Sequence, residues 1–145
     1  FQNASHHVHC EHEQLLQSLK WLDAALDELV SYSEVYANLA PLEKLREHGR
    51  RLAQMLPAHF DREEASMHAT VAKVSPELAE FACEMRRQHQ HLRAILTEFC
   101  RSVEYLETTQ DLDDSIWKVK QQGKLLTCAM MDHIALEEQQ LSGFF

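Results

Sequence analysis

PELAEFACEMRRQHQHLRAILTEFCRSVEYL, residues 76–106, decides the fold. Its apolar side chains Leu78, Phe81, Met85, Leu92, Leu96, Phe99, Val103 and Leu106 recur at spacings of three or four, the signature of a helix with one buried face. One position in that stripe, His89, carries an imidazole where a leucine would fit. Ser75 before Pro76 marks the start, because serine caps a helix N-terminus and proline is tolerated in the first turn.

Working outward, three further segments show the same period. Val8, His12, Leu15, Leu19, Leu22, Leu26 and Leu29 form a stripe that leads into Ser31–Leu39 before Pro41, with the helix expected to end near Glu34. Leu42, Leu45, His48, Leu52, Met55, His59, Glu63 and Met67 share a face up to about Val74. Pro57 lies inside this second segment and is expected to kink the helix or restart it before His59. After Thr108-Thr109-Gln110-Asp111 a fourth stripe runs Leu112, Ile116, Val119, Gly123, Leu126, Met130, His133 and Glu137. Asp111, Asp113 and Asp114 read as favourable charge at that helix N-terminus.

Four long helices joined by short connections imply antiparallel neighbours, so the expectation is all-α: a single up-down-up-down four-helix bundle. It should span residues 6–142, with 1–5 and 143–145 as terminal extensions. The length of 145 residues suits one domain. Only three glycines and three prolines, few for strand-and-turn architectures, point the same way. A net charge of −9 without a basic cluster argues against nucleic acid as a partner. No apolar run is long enough to cross a membrane and no leader pattern is visible, so a cytoplasmic location is expected. Cys10, Cys83, Cys100 and Cys128 are scattered and read as reduced, largely buried thiols.

Seam histidines carry the chemistry. With a rise of about 1.5 Å per residue from each turn, His12, His59, His89 and His133 fall at one level to within about one helical turn. His59 with Glu63 and His133 with Glu137 are both spaced by four, so each carboxylate shares a face with its imidazole. Such groups are costly in an apolar seam unless a cation compensates them. Imidazole and carboxylate suit iron or manganese, and zinc accepts the same donors. His48 reads as structural, His6, His7 and His9 as a solvated N-terminal cluster, and His68 and His91 as exposed.

These segments resemble the hemerythrin-like, or HHE cation-binding, family. The resemblance rests on His12-Glu-Gln-Leu, Pro57-Ala-His-Phe-Asp-Arg-Glu-Glu, His89-Gln-His-Leu-Arg and His133-Ile-Ala-Leu-Glu-Glu. It implies a non-haem site of two iron ions, oxo- or hydroxo-bridged, with His12, His59, His89 and His133 as terminal ligands and Glu63 and Glu137 as bridges. Oxygen-carrying members have a further histidine where this chain has Met85, and space the last carboxylate so that Glu138 would be the ligand. The seam spacing favours Glu137. Water, His9 or Glu64 are the candidates to make up the missing imidazole, the alternative being an incomplete site that holds one metal. The implied role is sensing or handling of iron, oxygen or nitric oxide, with a small diatomic ligand or peroxide as partner, rather than oxygen transport. The alternatives are an enzyme acting on oxygen or peroxide, although no substrate motif or nucleophile constellation accompanies the ligands, and a metal-free bundle serving as an interaction domain.

Overall fold

In a computed structural model, which describes residues 2–29, 40–106 and 112–144, the chain forms an up-down-up-down bundle of four helices, and no strand occurs among those residues. Helix α1 is Gln2–Glu28. Helix α2 is Ala40–Glu63, continued by a π-helical turn, Glu64–His68, and a last α-turn, Ala69–Val71. Helix α3 is Pro76–Tyr105, α4 is Leu112–Gln140, and a 3₁₀ turn, Ser142–Phe144, follows. Each helix packs on the next in chain order, and α4 closes the ring against α1.

The stripes face inward as their period requires. Leu15, Leu19, Leu22, Leu26, Leu45, Leu52, Leu96, Phe99, Val119 and Leu126 are all in the core. Burying each such side chain contributes about 1.5–3 kcal/mol before the entropy of ordering is subtracted. The seam of α2 departs slightly from its stripe, since Met55 and His48 are half-buried while Gly49, Leu56 and Phe60 are fully inside. His48 lies beside the Trp21 indole, their ring centres 6.4 Å apart.

Several boundaries follow local chemistry. The Ser75 hydroxyl accepts from the Leu78 amide at 3.1 Å and caps α3, with Pro76 in the first turn. Helix α1 stops at Glu28, short of the expected Glu34. There Lys120 Nζ donates to the carbonyl of Leu29 at 2.8 Å, so α4 satisfies a group that the helix leaves open. Ser31–Leu39 and Asp111 lie outside the described residues. No restart occurs at Pro57, for α2 runs helical through it. The carbonyl that proline leaves without a donor is that of Ala53, on the exposed face. Helices α1 and α4 approach closely at Gly123, where a Cβ would come within 2.5 Å of Leu26 Cδ1.

The four cysteines are free, but Cys83 and Cys128 are exposed, contrary to the expectation of largely buried thiols. Both fall between the apolar stripes. Among the described residues no helix is long and apolar enough to cross a membrane.

Candidate metal centre

At the level of His12, His59, His89 and His133 the leucine core gives way to a polar cluster. All four imidazoles, with Glu63 and Glu137, are at most 3% exposed. The His12 and His59 ring centres are 5.0 Å apart, and those of His89 and His133 are 4.8 Å apart. Helical rise thus brings the four seam histidines together.

The two carboxylates sit between the pairs. Glu63 Oε2 is 3.1 Å from His12 Nε2, while its Oε1 is 3.0 Å from His59 Nε2 and 3.2 Å from His89 Nε2. Glu137 Oε1 is 3.2 Å from His12 Nε2, and its Oε2 is 3.4 Å from His133 Nε2. Potential donor atoms therefore fall into two groups that share Glu63. His12, His59 and Glu63 form one; Glu63, His89, His133 and Glu137 form the other, with all atoms of a group within 4.8 Å of one another.

The outer nitrogens explain why the inner ones point as they do. His12 Nδ1 donates to Glu138 Oε1 at 2.9 Å and His133 Nδ1 to Gln88 Oε1 at 2.7 Å. His59 Nδ1 donates to Glu11, which Arg62 also holds through a 2.6 Å bond. The partners are acceptors, so the Nδ1 atoms carry protons and the Nε2 atoms face the interior. The fourth ring differs, because His89 Nδ1 faces Glu64 Oε1 only at 3.6 Å. Glu138 is thus an outer partner, shared with the half-exposed His9 at 3.0 Å, and Glu137 is the inner carboxylate. Glu64 stands behind His89, and His9 behind Glu138.

His68 corrects the sequence reading. It was expected on the exposed face, yet it is 1% exposed, with Nε2 3.2 Å from Glu137 Oε2 and its ring stacked on His89 at 5.3 Å between centres. In a continuous α-helix, nine residues after His59 would turn His68 roughly 180° away from the seam. The π-helical turn at 64–68 inserts an extra residue and swings it inward. Nothing in the local composition announces that turn. His91, by contrast, is exposed as expected, and Met85 is fully buried one turn before His89.

Electrostatics tie the cluster together. Burial alone would raise the Glu63 carboxyl, but the contacts of His12, His59 and His89 hold it well below the ordinary carboxylate value. Burial pushes His133 down to about 3, with His89 adding to the effect. Burial likewise pushes His68 down to about 4. His12 moves the other way: burial opposes its proton, but Glu63 and Glu138 outweigh that and raise it.

The residues present fit a cation. His59 Nε2, Glu63 Oε1 and Glu137 Oε1 are buried without a hydrogen bond of acceptable geometry. His89 Nε2 and His133 Nε2 stand 3.1 Å apart. Lone pairs and carboxylate oxygens this close repel unless protons or a metal ion lie among them. Neighbouring donors around a first-row ion, each with a bond of about 2.1 Å, are themselves roughly 3 Å apart, in line with the separations here.

A family model described as the hemerythrin HHE cation-binding domain matches residues 3–145. No curated protein matches the chain, and no solved structure does.

Proposed function

The chain belongs to the hemerythrin HHE cation-binding family, and we propose from that premise that it holds a non-haem di-iron centre and serves to sense or handle iron, oxygen or nitric oxide rather than to transport oxygen. His12 and His59 would hold one ion, His89 and His133 the other, and Glu63 and Glu137 would bridge them. The observation that carries this reading is the division of each carboxylate between two sets of imidazoles. Glu63 meets His12 through Oε2 and both His59 and His89 through Oε1, and Glu137 meets His12 through Oε1 and His133 through Oε2. A site for one ion would not need both carboxylates shared in this way. Manganese and zinc suit the same donors.

The chain's own residues have three tasks. Outward hydrogen bonds to Glu138, Glu11 and Gln88 orient His12, His59 and His133 with Nε2 inward; His12, whose proton Glu63 and Glu138 favour, would release it on binding an ion. Glu63 stays ionised through its imidazole contacts and contributes negative charge to balance the cations. The third task is exclusion: with every donor at most 3% exposed, a bulky substrate cannot reach them, whereas a diatomic ligand or peroxide can be accommodated by side-chain motion. Bound in this site, iron would supply one-electron redox chemistry and open coordination positions.

The test is to load anaerobically purified protein with ferrous iron, and to record metal per chain and the ultraviolet-visible spectrum before and after air. Two irons per chain, with ferric bands lost in His59→Ala and Glu63→Ala, is the expected result. One ion per chain would reject the dinuclear assignment. No metal uptake would reject the function while leaving the bundle standing. Sustained consumption of oxygen or peroxide by the loaded protein would instead mark an enzyme.

A further inference from the structure

We propose that His68 is a further terminal metal ligand, added to the His89–His133 side of the centre by the π-helical turn of α2. The inference rests on the dinuclear reading above and extends its donor set.

His68 is unsuited to a purely structural role. Its side chain is almost fully enclosed, in contact with Glu137 through Nε2, while Nδ1 is buried with no hydrogen-bond partner. If Nδ1 carries the proton, a donor is left unmet; if Nε2 carries it, an acceptor is. A hydrophobic residue of similar size would avoid that penalty, whereas an imidazole here offsets it only if Nε2 gains a bond stronger than one hydrogen bond, as to a metal ion. The backbone also departs from regular helix geometry to place His68 here, since Glu64–His68 is the one π-helical segment among the described residues.

Its position meets the requirements of a ligand. His68 Nε2 and His133 Nε2 approach the same oxygen, Glu137 Oε2, at 3.2 and 3.4 Å. Those separations are close to the roughly 3 Å expected between neighbouring donors of one ion. Stacking against His89 sets the two rings nearly parallel, 18° apart, so that both present Nε2 toward the carboxylates. The tight four-atom group on this side does not include His68; it reaches the group through Glu137 and would close on the ion by a small side-chain movement. With it, three imidazoles serve one ion and two serve the other, although α3 offers Met85 one turn before His89.

The competing role is a hydrogen bond from His68 to Glu137 that merely orients the carboxylate. His68→Gln separates the two, because a glutamine amide can still donate to Glu137 but is a poor substitute for imidazole on iron. His68→Gly adds a second arm, in which free imidazole at millimolar concentration can refill the space. The wild type, both variants and the imidazole-treated glycine variant are compared for iron per chain, ferric absorption and the thermal midpoint of the metal-free protein. The expected result is loss of at least tenfold in affinity for one of the two irons in His68→Gln, a shifted ferric spectrum, and recovery of both in His68→Gly with imidazole. The metal-free midpoint of His68→Gln should not fall.

Two irons and an unchanged spectrum in His68→Gln would overturn the ligand assignment while leaving the di-iron reading intact. A glycine variant that imidazole fails to restore, alongside a glutamine variant that has merely lost stability, would overturn it also. Failure of the wild type to bind iron would reject the proposed function and this inference together.

Discussion

The two halves of the bundle are built on the same four helices and yet obey opposite rules. Toward the end where α1 passes into Leu29, the seam is Leu22, Leu26, Leu29, Leu45, Phe99, Val103 and Val119, a core of apolar side chains. Toward the level of His12 and His133, the equivalent seam positions are imidazoles and carboxylates that are just as deeply enclosed. The first half gains stability from burial; the second spends some of it to hold a reactive arrangement of charge. Helical periodicity specifies position and is indifferent to which of these uses a position serves.

Substitutions on either side of that divide should have opposite signs. The largest loss is expected in the apolar half: Phe99→Ala removes a fully buried ring and should destabilise the protein by about 3–5 kcal/mol in denaturant melts. A loss below about 1 kcal/mol would mean that the region repacks freely. In the polar half, replacing His12, His59 and Glu63 together by leucine should abolish metal uptake and yet leave the metal-free protein as stable or more so, by up to about 4 kcal/mol. A large loss of metal-free stability would show instead that the carboxylate network supports the fold.

The pH dependence of the metal-free protein sharpens the same contrast. His68 and His133 have folded values near 4 and 3, below the ordinary 6.5, so the unfolded chain binds their protons first. Stability should therefore fall as pH drops from about 6.5 toward 4, by up to about 1.4 kcal/mol per pH unit for each group. His12 has the opposite sign, its raised value giving stability that is present below 6.5 and lost as pH rises through the folded value. Thermal melts against pH would check this, and His133→Leu should flatten the acid limb. The smallest effect is expected away from both halves, where Ser75→Ala should remove the α3 cap at a cost of about 1 kcal/mol without altering metal uptake.

Much of this arrangement was legible in the sequence because it depends on regular geometry. Apolar spacing gave the helices, Ser75-Pro76 gave one boundary, and a constant rise was enough to bring His12, His59, His89 and His133 to one height. His68 was not legible, since an inserted residue in the helix leaves no mark in composition, and counting by 3.6 sends that side chain to solvent. A histidine close behind an H-x-x-x-E pair was the only available hint. The outer partners were missed for a related reason: Glu11, Gln88 and Glu138 sit beside seam residues in the chain, and their roles depend on the neighbouring helix. Of the two outcomes expected at Pro57, a kink or a restart, the restart does not occur, and the carbonyl left unpaired there belongs to an exposed turn.

Those outer partners run around the ring of helices with one step left open. Glu11 on α1 holds His59 of α2, Glu64 on α2 faces His89 of α3, Gln88 on α3 holds His133 of α4, and Glu138 on α4 holds His12 of α1. Three of these four steps are hydrogen bonds between neighbouring helices; the fourth, from Glu64 to His89, is a contact only, for His89 Nδ1 is buried without a hydrogen bond. Turning α1 or α4 about its axis would disturb two hydrogen-bonded imidazoles on different helices. The open step, 3.6 Å from Glu64 to His89, lies at the start of the π-helical turn.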